Sequence, residues 1–133
     1  MKVNELMVGD LVYIHEPECK GHRIDAIDEL DGQVGADGEV YDECDIRPIP
    51  LNEEILEKNG FTKDYRYDGN QIEYDLDGFP ITVVYNKNKK EWHAGTYMCG
   101  RESDWVERQF DCRFLHQLQH LLRMAGVEKE IEP

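Results

Sequence analysis

Serine occurs once in this chain, at Ser103, and without the glycine flanks of a nucleophile elbow, which removes the hydrolases built on that turn. The glycines stand singly and never in GxGxxG or GxxxxGK order, so no loop is set to cradle phosphate. The four cysteines, Cys19, Cys44, Cys99 and Cys112, are scattered with no CxxC pair, and in a reducing cytosol they are expected as free thiols. No apolar run approaches the roughly 18 residues a membrane-crossing helix needs. The opening MKVNELMVGD has none of the apolar stretch of a signal peptide, so a cytoplasmic protein is expected. Positive charge is scarce too: 15 basic residues stand against 29 acidic ones, a net charge of −14. Such a surface repels nucleic-acid phosphate and anionic lipid, because binding there comes largely from Lys and Arg displacing counterions. Direct nucleic-acid binding and membrane association are therefore disfavoured.

What remains is enough for a folded protein. A chain of 133 residues, 40% apolar and 10% aromatic, supplies a packed core in one domain or in two small modules. The acids are unevenly spread: residues 1–50 carry 13 against 4 basic residues, and residues 51–133 carry 16 against 11. They keep a small protein soluble, and they also suit attraction to a basic partner or mimicry of nucleic acid.

The stretch FDCRFLHQLQHLLRMAGVEKEI, Phe110 to Ile131, carries the longest helix signal. Phe114, Leu115, Leu118, Leu121, Leu122 and Ala125 recur at helical spacing as one apolar stripe, opposed by Arg113, His116, Gln119, His120 and Arg123. Asp111 is the expected N-cap, and Gly126 with Val127 the expected left-handed stop and its apolar partner. A helix so one-sided must bury its stripe against something, and the preceding chain reads as sheet.

Residues 1–50 read as four or five short strands with tight turns. Leu11–Ile14 is the first, entered through Gly9-Asp10; Arg23–Ile27 alternates, with Ile24 and Ala26 on one side and Asp25 on the other. Asp31-Gly32 and Asp37-Gly38 are hairpin dipeptides, and Gln33–Ala36 and Glu39–Asp42 are the arms they define. A small curled antiparallel sheet or an SH3-like barrel follows. In IRPIPLNEEILEKNGF, Pro48 and Pro50 hold the chain extended. Asn52 then caps a two-turn helix with Glu53 and Glu54 in its first turn, and Gly60 with Phe61 ends it. Gln71–Leu76, Ile81–Asn86, Glu91–Tyr97 and Trp105–Phe110 then form an antiparallel meander crossed by the C-terminal helix. The expected fold is α+β: a β-module over residues 1–47, then residues 48–133 as short helix, meander and C-terminal helix.

Groupings able to carry chemistry are few. His116 and His120 share a helical face at metal-ligand spacing, but the position after the first histidine is Gln117, where a zinc protease needs glutamate. Cys19 and His22 with Cys44 lack an evident fourth zinc ligand. Cys112 and His116 form an i, i+4 pair near a helix start, where a thiolate is favoured, yet nothing orients the imidazole. Asp75 with Asp77, and Asp42, Glu43 and Asp45, read as solvated turn acids, since none fits a calcium loop. No catalytic residue, bound metal or cofactor is therefore expected. Aromatic residues offer a better lead, because aromatics with Arg anchor interfaces. Tyr65, Tyr67, Trp92, Tyr97 and Trp105, joined by His116, Gln119, His120 and Arg123 on the helix, form the candidate interaction surface.

Two stretches carry a resemblance. Pro48–Leu51 followed by Asn59–Phe61, and the His116–Gln119 run HQLQ, resemble a group of small acidic proteins of Bacteroides-type bacteria, their phages and integrated elements. The opening, with Leu6, Val8-Gly9-Asp10 and Leu11-Val12-Tyr13, is similar as well. Those motifs cover about a third of the chain. The resemblance implies a shared fold and a mobile-element or commensal-gut origin; it brings no activity, so no catalytic residue is carried over. Together these readings predict a non-enzymatic interaction module with an unidentified and basic protein partner. An acidic nucleic-acid mimic and a metal- or thiol-dependent enzyme are the alternatives.

Overall fold

The computed structural model describes residues 1–14, 20–64, 70–79, 81–96 and 110–133. The fold is α+β, as expected: an antiparallel sheet, a short helix, a second antiparallel sheet and a C-terminal helix. The chain divides into a first unit of Met1–Pro50, Phe114–His120 and Pro133, and a second of Leu51–Arg113 and Leu121–Glu132. The boundary thus falls after Pro50 and not after residue 47 as the sequence suggests, and residues 114–120 belong to the first unit.

The first unit is a five-stranded sheet ordered β4-β3-β2-β1-β5, from β1 (Leu11–Ile14), β2 (His22–Asp28), β3 (Gln33–Ala36), β4 (Glu39–Asp42) and β5 (Ile46–Pro48). Asp37 and Gly38 occupy φ of 54° and 80° between the paired Ala36 and Glu39. Positive φ at both central positions is what a two-residue hairpin with the strands' right-handed twist requires, and Asp-Gly supplies it at least cost. Between β2 and β3 the Asp28 carboxylate accepts from the Leu30 and Asp31 amides, fixing the longer turn. A 3-10 turn, Glu43–Asp45, leads into β5.

The core of this unit is Val3, Leu6, Val12, Ile14, Ile24, Val34, Ala36 and Ile46. The even alternation expected along β2 does not hold. Ile24 pairs with Ala36 but Ala26 with Gly35, so one extra residue is inserted. The bulge shifts the side-chain phase by one position. Ala26 is consequently exposed, and Ile27 packs against the core in its place. Gly35 stands opposite the bulge, where a Cβ would lie 2.7 Å from an Asp25 carboxylate oxygen.

In the second unit α1 (Glu53–Lys58) begins as the sequence predicts: Asn52 Oδ1 accepts from the Ile55 amide at 2.8 Å, with Glu53 and Glu54 in the first turn. Leu51 and Leu56 are both buried, at the two positions of a hydrophobic staple. The Asn59 amide group then bonds the backbone of Glu132 on both sides, donating to its carbonyl and accepting from its N–H. The sheet is ordered β10-β9-β8-β7-β6, from β6 (Phe61–Asp64), β7 (Gln71–Leu76), β8 (Ile81–Asn86), β9 (Glu91–Thr96) and β10 (Phe110–Asp111). β6 adds a strand the sequence did not reveal, because FTKD holds one large apolar residue and no period. Tyr74, Leu76, Ile81, Val83 and Ala94 are buried on one face. Glu73 and Thr82, assigned by alternation to the opposite face, are buried as well, while Asp75 and Val84 beside them are half-buried. Of the expected strand Trp105–Phe110, only Phe110 lies among the described residues.

The C-terminal helix α2 runs Leu115–Met124. Asp111 is not its cap: it belongs to β10, and the helix starts after Phe114. Gln117 at the third helical position reaches back to accept from the Phe114 N–H at 3.1 Å, one half of a capping box. The Leu115 N–H donates to the Ile49 carbonyl at 2.9 Å, so a second orphan donor of the first turn is satisfied. The far end closes as predicted. Gly126 has φ 73°, Val127 N–H donates to Leu122 O, and Gly126 N–H donates to Arg123 O, the two bonds of a Schellman motif.

Candidate functional site

The site grows out of a shortfall in backbone pairing on β1. Strand β5 ends at Pro48, opposite Val12, and proline has no N–H to extend a ladder. Among the described residues, the backbone of β1 preceding Val12 therefore has no strand beside it on that side. Gln119 fills the gap. Its Oε1 accepts from Leu11 N–H at 2.9 Å and its Nε2 donates to Gly9 O at 3.1 Å, so one side-chain amide replaces the missing peptide group. Gly9, at φ 95°, makes the turn that presents this carbonyl.

Between those two backbone groups lies Asp10, with no exposed surface. A buried carboxylate must be met by donors. Asp10 Oδ2 accepts from Met7 N–H at 2.8 Å and from His120 Nε2 at 2.6 Å. His120 thus spends one ring nitrogen on Asp10 and keeps part of its ring exposed. His116, one turn earlier, is buried with 3% exposure. It stacks on Phe114 (centroids 5.9 Å, planes 11° apart) and meets His120 edge-on (5.6 Å, 75°). Burial holds the His116 pKa below the usual histidine range and His120 acts in the same sense, whereas Asp10 and Glu5 oppose the shift. Its Nδ1 is the single buried side-chain nitrogen or oxygen without a hydrogen-bond partner among the described residues.

Beside this cluster opens a cleft of about 460 Å³ bordered by Met1, Glu5, Pro48, Phe114, His116, Gln117 and His120. Its border joins the apolar Met1, Pro48 and Phe114 to Gln117, two histidines and one carboxylate, and among the described residues no Lys or Arg lines it. A concave, mostly apolar surface with a few convergent polar groups is the usual form of a binding site.

Several expectations are corrected here. His116 and Gln119, expected on a polar stripe as part of the interaction surface, are both buried, because the face they occupy satisfies buried backbone and a buried carboxylate in the first unit. Arg123 is exposed, and Trp92 is half-buried against Tyr85 (4.6 Å) and Tyr74 (5.8 Å), a member of the sheet's aromatic packing. Tyr65, Tyr67, Tyr97 and Trp105 lie outside the described residues, as does Cys19 of the conceivable zinc set. Cys112 precedes the helix instead of entering its first turn. It is 1% exposed, and burial pushes its thiol up to about 12, the reverse of an activated thiolate.

Among the described residues, the sets of three or more metal-ligating side chains converging within 4.8 Å are Asp42, Cys44 and Asp45, and Asp64, Glu73 and Asp75; neither includes the histidine pair. Asp75 already accepts from the Thr82 hydroxyl at 2.9 Å. Sequence reasoning missed Asp10, Glu5, Pro48 and Phe114 as members of the site. Comparison with protein-family models, curated proteins and solved structures finds no match to this chain.

Proposed function

We propose that this protein is a non-enzymatic, cytoplasmic interaction module that engages a basic protein partner through the cleft of its first unit, as an accessory of a phage or mobile element. The cleft bordered by Phe114, His116 and Glu5 carries this reading. Of the polar groups nearby, Asp10 is already engaged by Met7 and His120, and Gln119 by Gly9 and Leu11. The buried, protonated thiol of Cys112 supports the same reading. The strand order β4-β3-β2-β1-β5, with a 3-10 turn before β5, supports an SH3-like description of the unit. The partner's sign follows from the acids of residues 1–50, 13 against 4 basic residues, which steer association more than they set affinity.

The test is affinity capture from a nuclease-treated bacterial lysate at low and moderate salt, with Phe114→Leu as the comparison. A basic protein retained at moderate salt by the wild type and released by the variant is expected. No enriched protein under either condition refutes the reading. A second reading, an acidic mimic occupying a nucleic-acid-binding protein, draws on the exposed acids Asp28, Asp31, Asp37, Glu39 and Asp42 along β2 to β4. It predicts capture of such a protein that Phe114→Leu leaves intact and that collapses as salt rises.

A further inference from the structure

We propose that the cleft takes an arginine side chain of the partner, its guanidinium laid against the Phe114 ring beside His116 and paired with the Glu5 carboxylate. This deepens the interaction reading above and rests on it.

Three observations select this occupant. The first is the aromatic pair: Phe114 and His116 lie 11° from parallel with centroids 5.9 Å apart, and both border the cleft. A planar guanidinium stacks on such a surface, whereas an ammonium meets it as a point charge and holds its water more tightly. The second is the charge around the cleft. Glu5 borders it, no Lys or Arg does among the described residues, the Met1 ammonium that also borders it donates to the Glu43 and Ile46 carbonyls, and residues 1–50 carry 13 acids against 4 basic residues. A carboxylate accepts a guanidinium fork through two parallel N–H bonds. The third is the unpartnered His116 Nδ1. In the Nε2–H tautomer of the neutral imidazole this Nδ1 is an acceptor, and a buried acceptor without a donor is costly. A guanidinium brings five N–H donors and no acceptor, so it suits this histidine and the carboxylate together. An acidic or phosphorylated ligand would set its charge against Glu5 and offer His116 no donor.

The probe is Nα-acetyl-arginine amide, titrated into the full chain and followed by ¹⁵N–¹H correlation spectra, with the lysine and citrulline amides as controls. Saturable shifts confined to the surroundings of Glu5, Phe114, His116 and His120 are expected for arginine. Lysine should bind about fivefold more weakly, and citrulline, which has the shape without the charge, should give no saturable response. Glu5→Gln, an exposed substitution that leaves the core intact, should weaken arginine binding about fivefold. Phe114→Leu, which keeps the apolar volume and removes the ring, should weaken it comparably.

Equal responses to arginine and citrulline, shifts centred on the exposed acids of β2 to β4, or no saturable response to arginine each overturn the inference. The two readings fail separately. A captured partner that Glu5→Gln and Phe114→Leu retain unchanged removes the arginine site and leaves an interaction module; absence of any captured partner removes both.

Discussion

Gln119→Met is the most direct perturbation of the cluster, because it removes two hydrogen bonds while nearly conserving side-chain volume. Gln119 is 6% exposed, and Leu11, whose N–H it accepts, is 4% exposed. Leaving a buried N–H unpaired costs about 1–3 kcal/mol. Gly9 is only partly buried, so its carbonyl regains water and adds about 0.5–1 kcal/mol. The expected loss is therefore about 1.5–4 kcal/mol, with no cavity to add; Gln119→Ala should cost about 1 kcal/mol more, through the void it leaves. Urea denaturation reads the global loss, and amide hydrogen exchange reads its place. Exchange at Leu11 should accelerate by more than about tenfold relative to the β3–β4 hairpin amides, since about 1.4 kcal/mol is tenfold in an opening constant. Leu11 protection unchanged in Gln119→Met, with stability within about 0.5 kcal/mol of wild type, would refute the claim that this amide completes the β1 edge.

Four further outcomes follow from the same contacts. Asp10→Ala strands the Met7 N–H and His120 Nε2 around a position with no exposed surface, and should cost about 2–4 kcal/mol in chemical denaturation. His116 is held neutral by burial, so its folded pKa lies below its unfolded value of 6.5. The unfolded chain then binds more protons, so the stability His116 contributes is full above pH 6.5 and declines as pH falls below it. Denaturation midpoints measured from neutral to mildly acidic pH should show that decline, and His116→Gln should flatten it. Asn52→Ala removes the cap on Ile55 N–H and should cost about 1 kcal/mol, read as a lowered denaturation midpoint. Iodoacetamide applied to folded protein at neutral pH should label exposed Cys44 and leave Cys112 unmodified until denaturant is added, as peptide mass mapping will show.

The fold was legible wherever its cause is local. Asp37-Gly38 announces its hairpin because few other dipeptides accept positive φ twice. Asn52 and Gly126 announce helix ends because orphan amides and carbonyls need partners that neighbouring residues supply. Illegibility begins where a long-range contact overrides a local pattern. The alternation of β2 reads as regular, yet a single inserted residue hands the core position of Ala26 to Ile27. Asp111 has the composition of a cap and lies beside a helix signal, but pairing with His93 draws it into β10 and moves the helix start to Leu115.

The candidate site was harder to see for a definite reason. Its defining bond, Asp10 to His120, spans 110 positions, and a buried aspartate in a turn has the same local sequence as a solvated one. Hydrophobic periodicity sorts helix faces by apolarity alone, so a face that serves buried backbone is filed with faces that serve water. One signal in the chain does separate the two. Charged residues make up 33% of this protein, yet the run from Phe114 to Leu122 contains none, and Arg113 and Arg123 stand just outside it. A helix face turned to water in so acidic a protein would be expected to carry Glu or Lys. His116, Gln119 and His120 are instead polar groups that can be buried at modest cost when each nitrogen or oxygen finds a partner. Gln119 and His120 have found theirs in Gly9, Leu11 and Asp10. His116 has not, and it borders the cleft. An uncharged polar face on this helix of a highly charged protein therefore marks an internal contact, and the nitrogen left without a partner, His116 Nδ1, is where the proposed arginine would bring its donor.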